Sequence, residues 1–288
     1  MTRKSDHPLA VRAIPLPPGN HHPLVPYSQV LPQHEFSIGI IAPKGSGKTT
    51  AIINILDKYK GYFNDIVVIS PTIHNDDKWD YARKQPYRKE NKKLDRWLKD
   101  QKRTSVVQGP AESRQEFDPR IPEEHFMATC SKEELGEILD SQDQMIEKLK
   151  KAGKSKYMAH RILLVNDDPI GGPLISNVHS KDENPVLKLA VNLRHLSASS
   201  IVVSQGYKEL PKTWRTNWSC VIVFEIPSEG ELKVIYEEHP VHMKREAWQM
   251  VYEYCTGDDY NFMFINYQKP KRLRVMKNFE QVVFVDRD

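Results

Sequence analysis

The residues best suited to chemistry lie in Phe36 to Thr50, FSIGIIAPKGSGKTT, where an apolar run stops at a glycine-flanked loop and resumes as a helix. Ala42 to Thr49 fits the phosphate-binding pattern of a small residue, four free positions and then Gly-Lys-Thr, with Ala42 where glycine is usual. Backbone N–H groups around Gly45 and Gly47 can wrap a triphosphate only if side chains do not obstruct them. Pro43, Lys44, Gly45, Ser46, Gly47, Lys48, Thr49 and Thr50 would then line the phosphates. Lys48 would pair with the β and γ groups, the Thr49 hydroxyl would sit on Mg²⁺, and the helix N-terminus would add its positive end.

A second landmark is Arg161 to Asp168, RILLVNDD, an apolar strand that ends in two carboxylates. Downstream of a phosphate loop, such a strand supplies one aspartate to organise Mg²⁺ and one to polarise the attacking water. Asp167 is assigned to the metal and Asp168 to the water, so the implied cofactors are ATP and Mg²⁺. Gly171 and Gly172 follow, as expected of a loop at the strand's carboxyl end. Asn166 makes that strand end more polar than its neighbours. A third feature is Gln205, which closes the buried strand IVVSQ at Ile201 to Gln205. It is either an ordinary strand terminus or the polar group that senses the γ-phosphate in additional-strand ATPases.

The elements that must position these residues alternate strand and helix, the pattern of an α/β fold with a mainly parallel central sheet flanked by helices. Phe36 to Ile41 and Ile66 to Ser70 read as buried strands. Ile52, Ile53 and Leu56 mark one face of a helix from Thr49 to Tyr59, closed by Gly61. Ser131 and Glu134 form a capping box for a helix that runs to Gly153, and Pro185 to Leu196 is amphipathic. Ile66 to Ser70 lies between the two landmarks in the chain, which permits the additional-strand arrangement without fixing strand order. Cys220 to Ile226 reads as a fifth core strand, joined to a strand at Glu231 to Glu237 by a hairpin through Pro227 to Gly230. The tail holds a helix over Val241 to Cys255 and strands at Asn261 to Asn266 and Gln281 to Val285, a β-rich extension of about residues 240–288.

Residues 1–35 are rich in proline, carry His21 and His22, and form an arm that lies on the surface or on a neighbouring subunit. The ATPase domain would span 36–288, with a basic insertion at about 82–125. There Arg83, Lys84, Arg88, Lys89, Lys92, Lys93, Arg96, Lys99, Lys102 and Arg103 outnumber Glu90, Asp95 and Asp100 and interleave with Tyr87 and Trp97. That clustering suits a nucleic-acid backbone, and equally a solvated insertion. The whole chain of 288 residues carries a net charge of only +4, so any such surface must be local. Cys130, Cys220 and Cys255 show no metal or disulfide spacing, which fits a reducing compartment. No run approaches the ~18 apolar residues of a membrane span, and the N-terminus has no hydrophobic signal core, so a soluble protein not secreted by a cleaved signal is expected.

Taken together, APKGSGKTT, VISPT to Thr72, LLVNDD, NLRHLSASSIVVSQ, LPKTWRTN and YNFMFIN resemble the genome-packaging ATPases of large DNA viruses. These form the poxvirus-type branch of the FtsK/HerA superfamily, found also in virophages and Polinton elements. The resemblance covers roughly residues 36–285. It implies a P-loop NTPase of the additional-strand, RecA-like type that hydrolyses ATP to move double-stranded DNA into a preformed capsid. It further implies a homo-oligomeric ring, a pentamer or hexamer, meeting a capsid or portal component inside the infected host cell. Carried over by position, Lys48 and Thr49 bind nucleotide and Mg²⁺, Asp167 and Asp168 form the Walker B pair, and Gln205 is the sensor. Arg194 or Arg215 would offer a guanidinium to a nucleotide, across a subunit boundary or within the chain. Two other classes compete: a small-molecule P-loop kinase, for which the basic stretch would be a lid, and an assembly protein in which ATP only regulates ring formation.

Overall fold

The sheet is built outward from β1 (Ser37–Ile41), whose five residues are all buried. In the computed structural model, which describes residues 21–104, 116–169, 172, 174 and 185–284, β1 pairs in parallel with a strand on each side. A strand covered on both faces has no place for polar alternation, and its apolar run follows from that. Gly39 interrupts the run because the Trp218 indole lies against it: a β-carbon there would come within 2.2 Å of the ring.

The chain then forms α1 (Lys48–Lys58), β2 (Asp65–Ile69), α2 (Asp77–Lys84) and α3 (Lys92–Thr104). After them come the short β3 (Phe126–Met127), α4 (Lys132–Lys151) and β4 (Ile162–Asp167). The second half holds α5 (Pro185–Leu196), β5 (Ala198–Ser204), α6 (Lys212–Thr216), β6 (Cys220–Val223) and α7 (Glu229–Glu238). It ends with α8 (Arg245–Thr256), β7 (Met263–Asn266), β8 (Val275–Lys277) and β9 (Gln281–Val282). Among the described residues these strands make one sheet in the order β3-β2-β4-β5-β1-β6-β7-β8-β9. The first six are parallel neighbours, and the last three add antiparallel.

β5 therefore stands between β1 and β4, the arrangement of an additional-strand P-loop fold. The strand that lies between the landmarks in the chain, β2, is on the far side of β4 instead. Both are apolar parallel strands, so local pattern does not distinguish their places.

Glu231 to Glu237 is a correction: it is helix, within α7, and not the second arm of a hairpin. Ser228 accepts a hydrogen bond from the Glu231 N–H as a cap, two acidic residues occupy the first turn, and Leu232 and Ile235 bury one face three residues apart. The antiparallel neighbour of β6 is β7, with Val223 opposite Met263. In the tail, α8 starts at Arg245, later than Val241, because Val241 and His242 adopt left-handed backbone at φ 43° and 60°. The basic stretch before the end contains β8, whose Val275 and Met276 are buried. The capping box of Ser131 and Glu134 is present at the start of α4.

Part of the arm is described. Val25 and Leu31 are buried on this same chain, and the Tyr62 and Tyr59 hydroxyls donate to the carbonyls of Pro23 and Pro32. The first twenty residues of the arm, residues 105–115 of the insertion, Gly171 and the last residue of the expected strand to Val285 lie outside the described residues. Among those described, no helix is long and apolar enough to cross a membrane.

Candidate active site

The carboxyl ends of β1, β4 and β5 meet at one edge of the sheet, where strand order reverses and ligands of open α/β sheets bind. The loop after β1 begins with the Ala42 N–H donating to the Ser204 carbonyl at 3.0 Å, so β1 and β5 stay paired up to the loop. Ala42 is fully buried, which accommodates a methyl in place of glycine. Ser46 turns back on Pro43, its N–H and hydroxyl both donating to that carbonyl. Gly45 and Gly47 have φ of 84° and 93°. At Gly45 open space surrounds the α-carbon, so the requirement there is the left-handed backbone itself. Gly47 is the N-cap of α1 and offers no side-chain acceptor, which leaves the first N–H groups of an eleven-residue helix for an anion. Thr49 is buried, whereas Lys44, Gly45 and Thr50 are exposed.

Two predicted residues converge on one oxygen of a third. Lys48 Nζ donates to Asp168 Oδ2 at 3.0 Å, and Gln205 Nε2 donates to the same oxygen. Asp168 follows the last residue of β4 with φ 56°, and its N–H donates to the Val203 carbonyl, so a turn at the strand end aims the carboxylate toward the loop. Gln205 follows β5 directly and is exposed.

Asp167 is 2% exposed and differs in every respect. Ser70, at the end of β2, donates to its Oδ2 at 2.9 Å. Oδ1 is buried with no hydrogen-bond partner. Burial pushes the carboxyl above its ordinary range, and the Ser70 hydrogen bond and the Lys48 charge pull it back. A buried carboxylate oxygen left unpaired is costly unless a cation meets it. The residues present thus fit a hard divalent cation held by Asp167 and the Thr49 hydroxyl. No group of three or more His, Cys, Asp or Glu gathers among the described residues, so most of its remaining oxygens would come from phosphates and water. Asn166 points to the opposite face, where with Trp214, Leu174 and Leu189 it lines a small enclosed cavity of about 10 Å³.

Two arginines are not brought to this group. Arg215, 8% exposed, donates to the Leu210 carbonyl and to Glu238 at 2.8 Å and lies over the Tyr207 ring. Its guanidinium joins α6 to α7 through Glu238 and makes no contact with Lys48, Asp168 or Gln205. Arg194 is exposed near the end of α5, immediately before β5 begins. The seven residues of β5 separate it from the phosphate edge of its own chain by roughly 23 Å at ~3.3 Å per residue.

The basic insertion also divides. Arg83 donates to Glu123, Asp80 and the Ile73 carbonyl, and Arg88 donates to the Arg120 and Asp118 carbonyls while 3.6 Å from Asp65. Both fasten the fold through these contacts, whereas their expected role on nucleic acid calls for guanidinium groups free to meet phosphates. Lys84, Lys89, Lys92 and Lys93 are exposed, Lys92 within 3.7 Å of Glu90. This surface sits by the start of β4, as the Asn91 amide donates to the Met158 carbonyl and the Asn64 amide to that of Lys89. It is at the sheet edge opposite the phosphate loop.

Two residues near the site have no role in the motif reading. Ser70 is legible in principle, because β2 lies beside β4 with Ile69 opposite Asn166, which sets Ser70 next to Asp167. Tyr260, whose ring borders Gly47, has no local signal.

The family described as "Poxvirus A32 protein" matches residues 110–252, a span that holds β4, Asp167, Asp168 and Gln205 but not the phosphate loop. The resemblance read from the motifs is borne out by this match, over a narrower span than 36–285. None of the curated proteins matches. Among solved structures, the chain is similar to the genome packaging NTPase B204 from Sulfolobus turreted icosahedral virus 2 in complex with AMPPCP. That likeness is 14% identical with a TM-score of 0.44 and covers 81% of this chain and 93% of that one. EssC (ATPases 2 and 3) from Geobacillus thermodenitrificans is 13% identical with a TM-score of 0.47, covering 96% of this chain and 49% of that one.

Proposed function

We infer, from the chain's kinship with the Poxvirus A32 protein family and from the group at the sheet edge, that it is the ATP-hydrolysing subunit of a viral genome-packaging motor. The observation that carries the chemistry is the convergence of Lys48 and Gln205 on Asp168 beside a glycine loop at a helix N-terminus.

The residues divide the work. The N–H groups of Gly45 to Thr49 take the phosphate oxygens, and Lys48 leaves Asp168 to pair with the β and γ groups. Asp168 then has a free oxygen to accept a proton from water in line with the γ-phosphorus, while Gln205 keeps it oriented. Thr49 and Asp167 would hold Mg²⁺, which when bound neutralises charge on the β and γ oxygens. Ser70 fixes Asp167 through Oδ2 and leaves Oδ1 for the metal.

In this reading the substrate of the motor is double-stranded DNA, the working unit is a homo-oligomeric ring, and its partner is a capsid or portal component. A guanidinium from a neighbouring subunit, with Arg194 as the exposed candidate, would stabilise the transferring phosphoryl group, an effect worth roughly 10³-fold or more in rate. Steady-state ATP hydrolysis with and without linear duplex DNA tests the reading. Duplex should stimulate the parent, with stimulation falling as salt rises, Lys48→Ala should abolish turnover, and Asp168→Asn should lower it by about 10²-fold or more. Undiminished DNA-stimulated turnover in Lys48→Ala would sink it.

A further inference from the structure

The loop joining α8 to β7, residues 257–262, reaches the phosphate edge because β7 runs antiparallel beside β6. It carries Tyr260, 70% exposed and left-handed at φ 64°. The ring borders the phosphate loop: a β-carbon built on Gly47 would lie 3.1 Å from Tyr260 Cδ1. The ring therefore stands over the N-cap of α1, within reach of a group that continues from phosphates seated on the loop. Among the described residues Tyr260 makes no hydrogen bond or ring contact. Tyr254, another exposed tyrosine, donates to Gln281 and lies under Lys277.

The loop under the ring is braced. Phe262 packs against Phe224 and Phe279, and its N–H and carbonyl both pair with Asn278. The Asn278 amide also donates to Asn261, which in turn donates to Asp258, itself 2.9 Å from Lys277. A tyrosine in the left-handed region is strained, and strain held by a rigid frame is found where a side chain must be presented. What is presented is a flat aromatic face with one side in water, and such a face takes another π-system by stacking.

We propose that Tyr260 is the base platform of the site, its ring stacking on the purine of the nucleotide whose phosphates occupy residues 43–50. This rests on the nucleotide reading above. Stacking tolerates any base, so the ring adds affinity without choosing adenine over guanine.

The test measures calorimetric binding of Mg²⁺-ATP and of Mg²⁺-tripolyphosphate, which lacks a base, to the full chain. The variants are Tyr260→Ala, Tyr260→Trp and Lys48→Ala. Tyr260→Ala should weaken ATP about tenfold or more while leaving tripolyphosphate within about twofold, and Tyr260→Trp should restore ATP binding. Lys48→Ala should weaken both ligands. If Tyr260→Ala binds ATP like the parent, or loses both ligands equally, the platform is overturned and the nucleotide site stands. A parent that binds neither ligand overturns the nucleotide reading and the platform with it.

Discussion

Lys48 Nζ and Asp168 Oδ2 lie 3.0 Å apart, so the cation proposed to grip phosphate and the carboxylate proposed to activate water neutralise each other. Both side chains are largely shielded, at 18% and 25% exposure. The pair must open for a γ-phosphate to be gripped. Asp168→Asn removes the charge that competes for Lys48, so ATP should bind at least as tightly as to the parent. Loss of the group that accepts water's proton should lower kcat by about 10²-fold to 10⁴-fold. Kd and kcat measured on the same variant separate the two effects, and weaker ATP binding would contradict the competition.

Gln205 holds the same oxygen from the other side. Gln205→Ala should therefore keep ATP affinity and lose turnover by roughly 10²-fold, the cost of one oriented donor in such sites. Gln205→Glu sets a carboxylate against Asp168 and should be no better than alanine near neutral pH, with partial recovery as pH falls and one of the two protonates. A pH profile of kcat from pH 5 to 8 reads this directly, and a flat profile would count against the contact.

How much of this is legible in the sequence depends on range. Ala42 to Thr49 and Asp167–Asp168 declare themselves by residue type and close spacing, because the chemistry is local to a loop and a strand end. The strand between them in space, β5, cannot be told from β2, since both are apolar and strand order is a matter of long crossovers. Glu231 to Glu237 reads as a strand because Val234, Ile235 and Tyr236 make a short run of β-favouring side chains, while the deciding Ser228 cap is a single hydrogen bond outside the run. Arg83, Arg88 and Arg215 look free because their partners, Glu123, the Asp118 and Arg120 carbonyls and Glu238, lie 23 to 40 residues away. Tyr260 reaches Gly47 only because the chain folds back through β7.

Trp218 lies between Gly39 and His239, on whose ring it stacks at 6.3 Å. Gly39→Ala pushes a methyl into the indole in the central strand, where overpacking typically costs about 1–3 kcal/mol. Thermal unfolding should show a matching fall in Tm. An unchanged Tm would mean that the indole slides aside freely.

His239 gives stability a pH dependence. Tyr207 donates its only proton to Glu238, so His239 Nε2–H donates to Tyr207 and Nδ1 accepts from the Tyr267 hydroxyl. Burial, and then the Arg215 charge, push the imidazole down to about 4. The folded value is below the unfolded ~6.5, so the unfolded chain binds more protons between them. Stability from this residue is full above about pH 6.5 and falls toward pH 4, at up to ~1.4 kcal/mol per pH unit. His34, lowered by burial and by the His22 charge, slopes the same way. Urea unfolding at pH 7 and pH 5 should show a shallower dependence in His239→Gln than in the parent, whatever the absolute stabilities.

The exposed lysines and the paired arginines of the insertion should respond oppositely. Lys89 and Lys93 are exposed, so Lys89→Ala and Lys93→Ala should leave stability within about 0.5 kcal/mol. If DNA runs over this surface, each should weaken duplex binding and reduce the salt slope by about one unit for every phosphate no longer neutralised. DNA-free hydrolysis should not change, because this edge is opposite the phosphate loop. Arg88→Ala strips donors from the Arg120 and Asp118 carbonyls and leaves Asp65 with one cation fewer, so it should lower Tm first and alter DNA binding only by loosening the fold. A lysine series with an unchanged salt slope would mean that this face is solvated and carries no part of the proposed duplex contact.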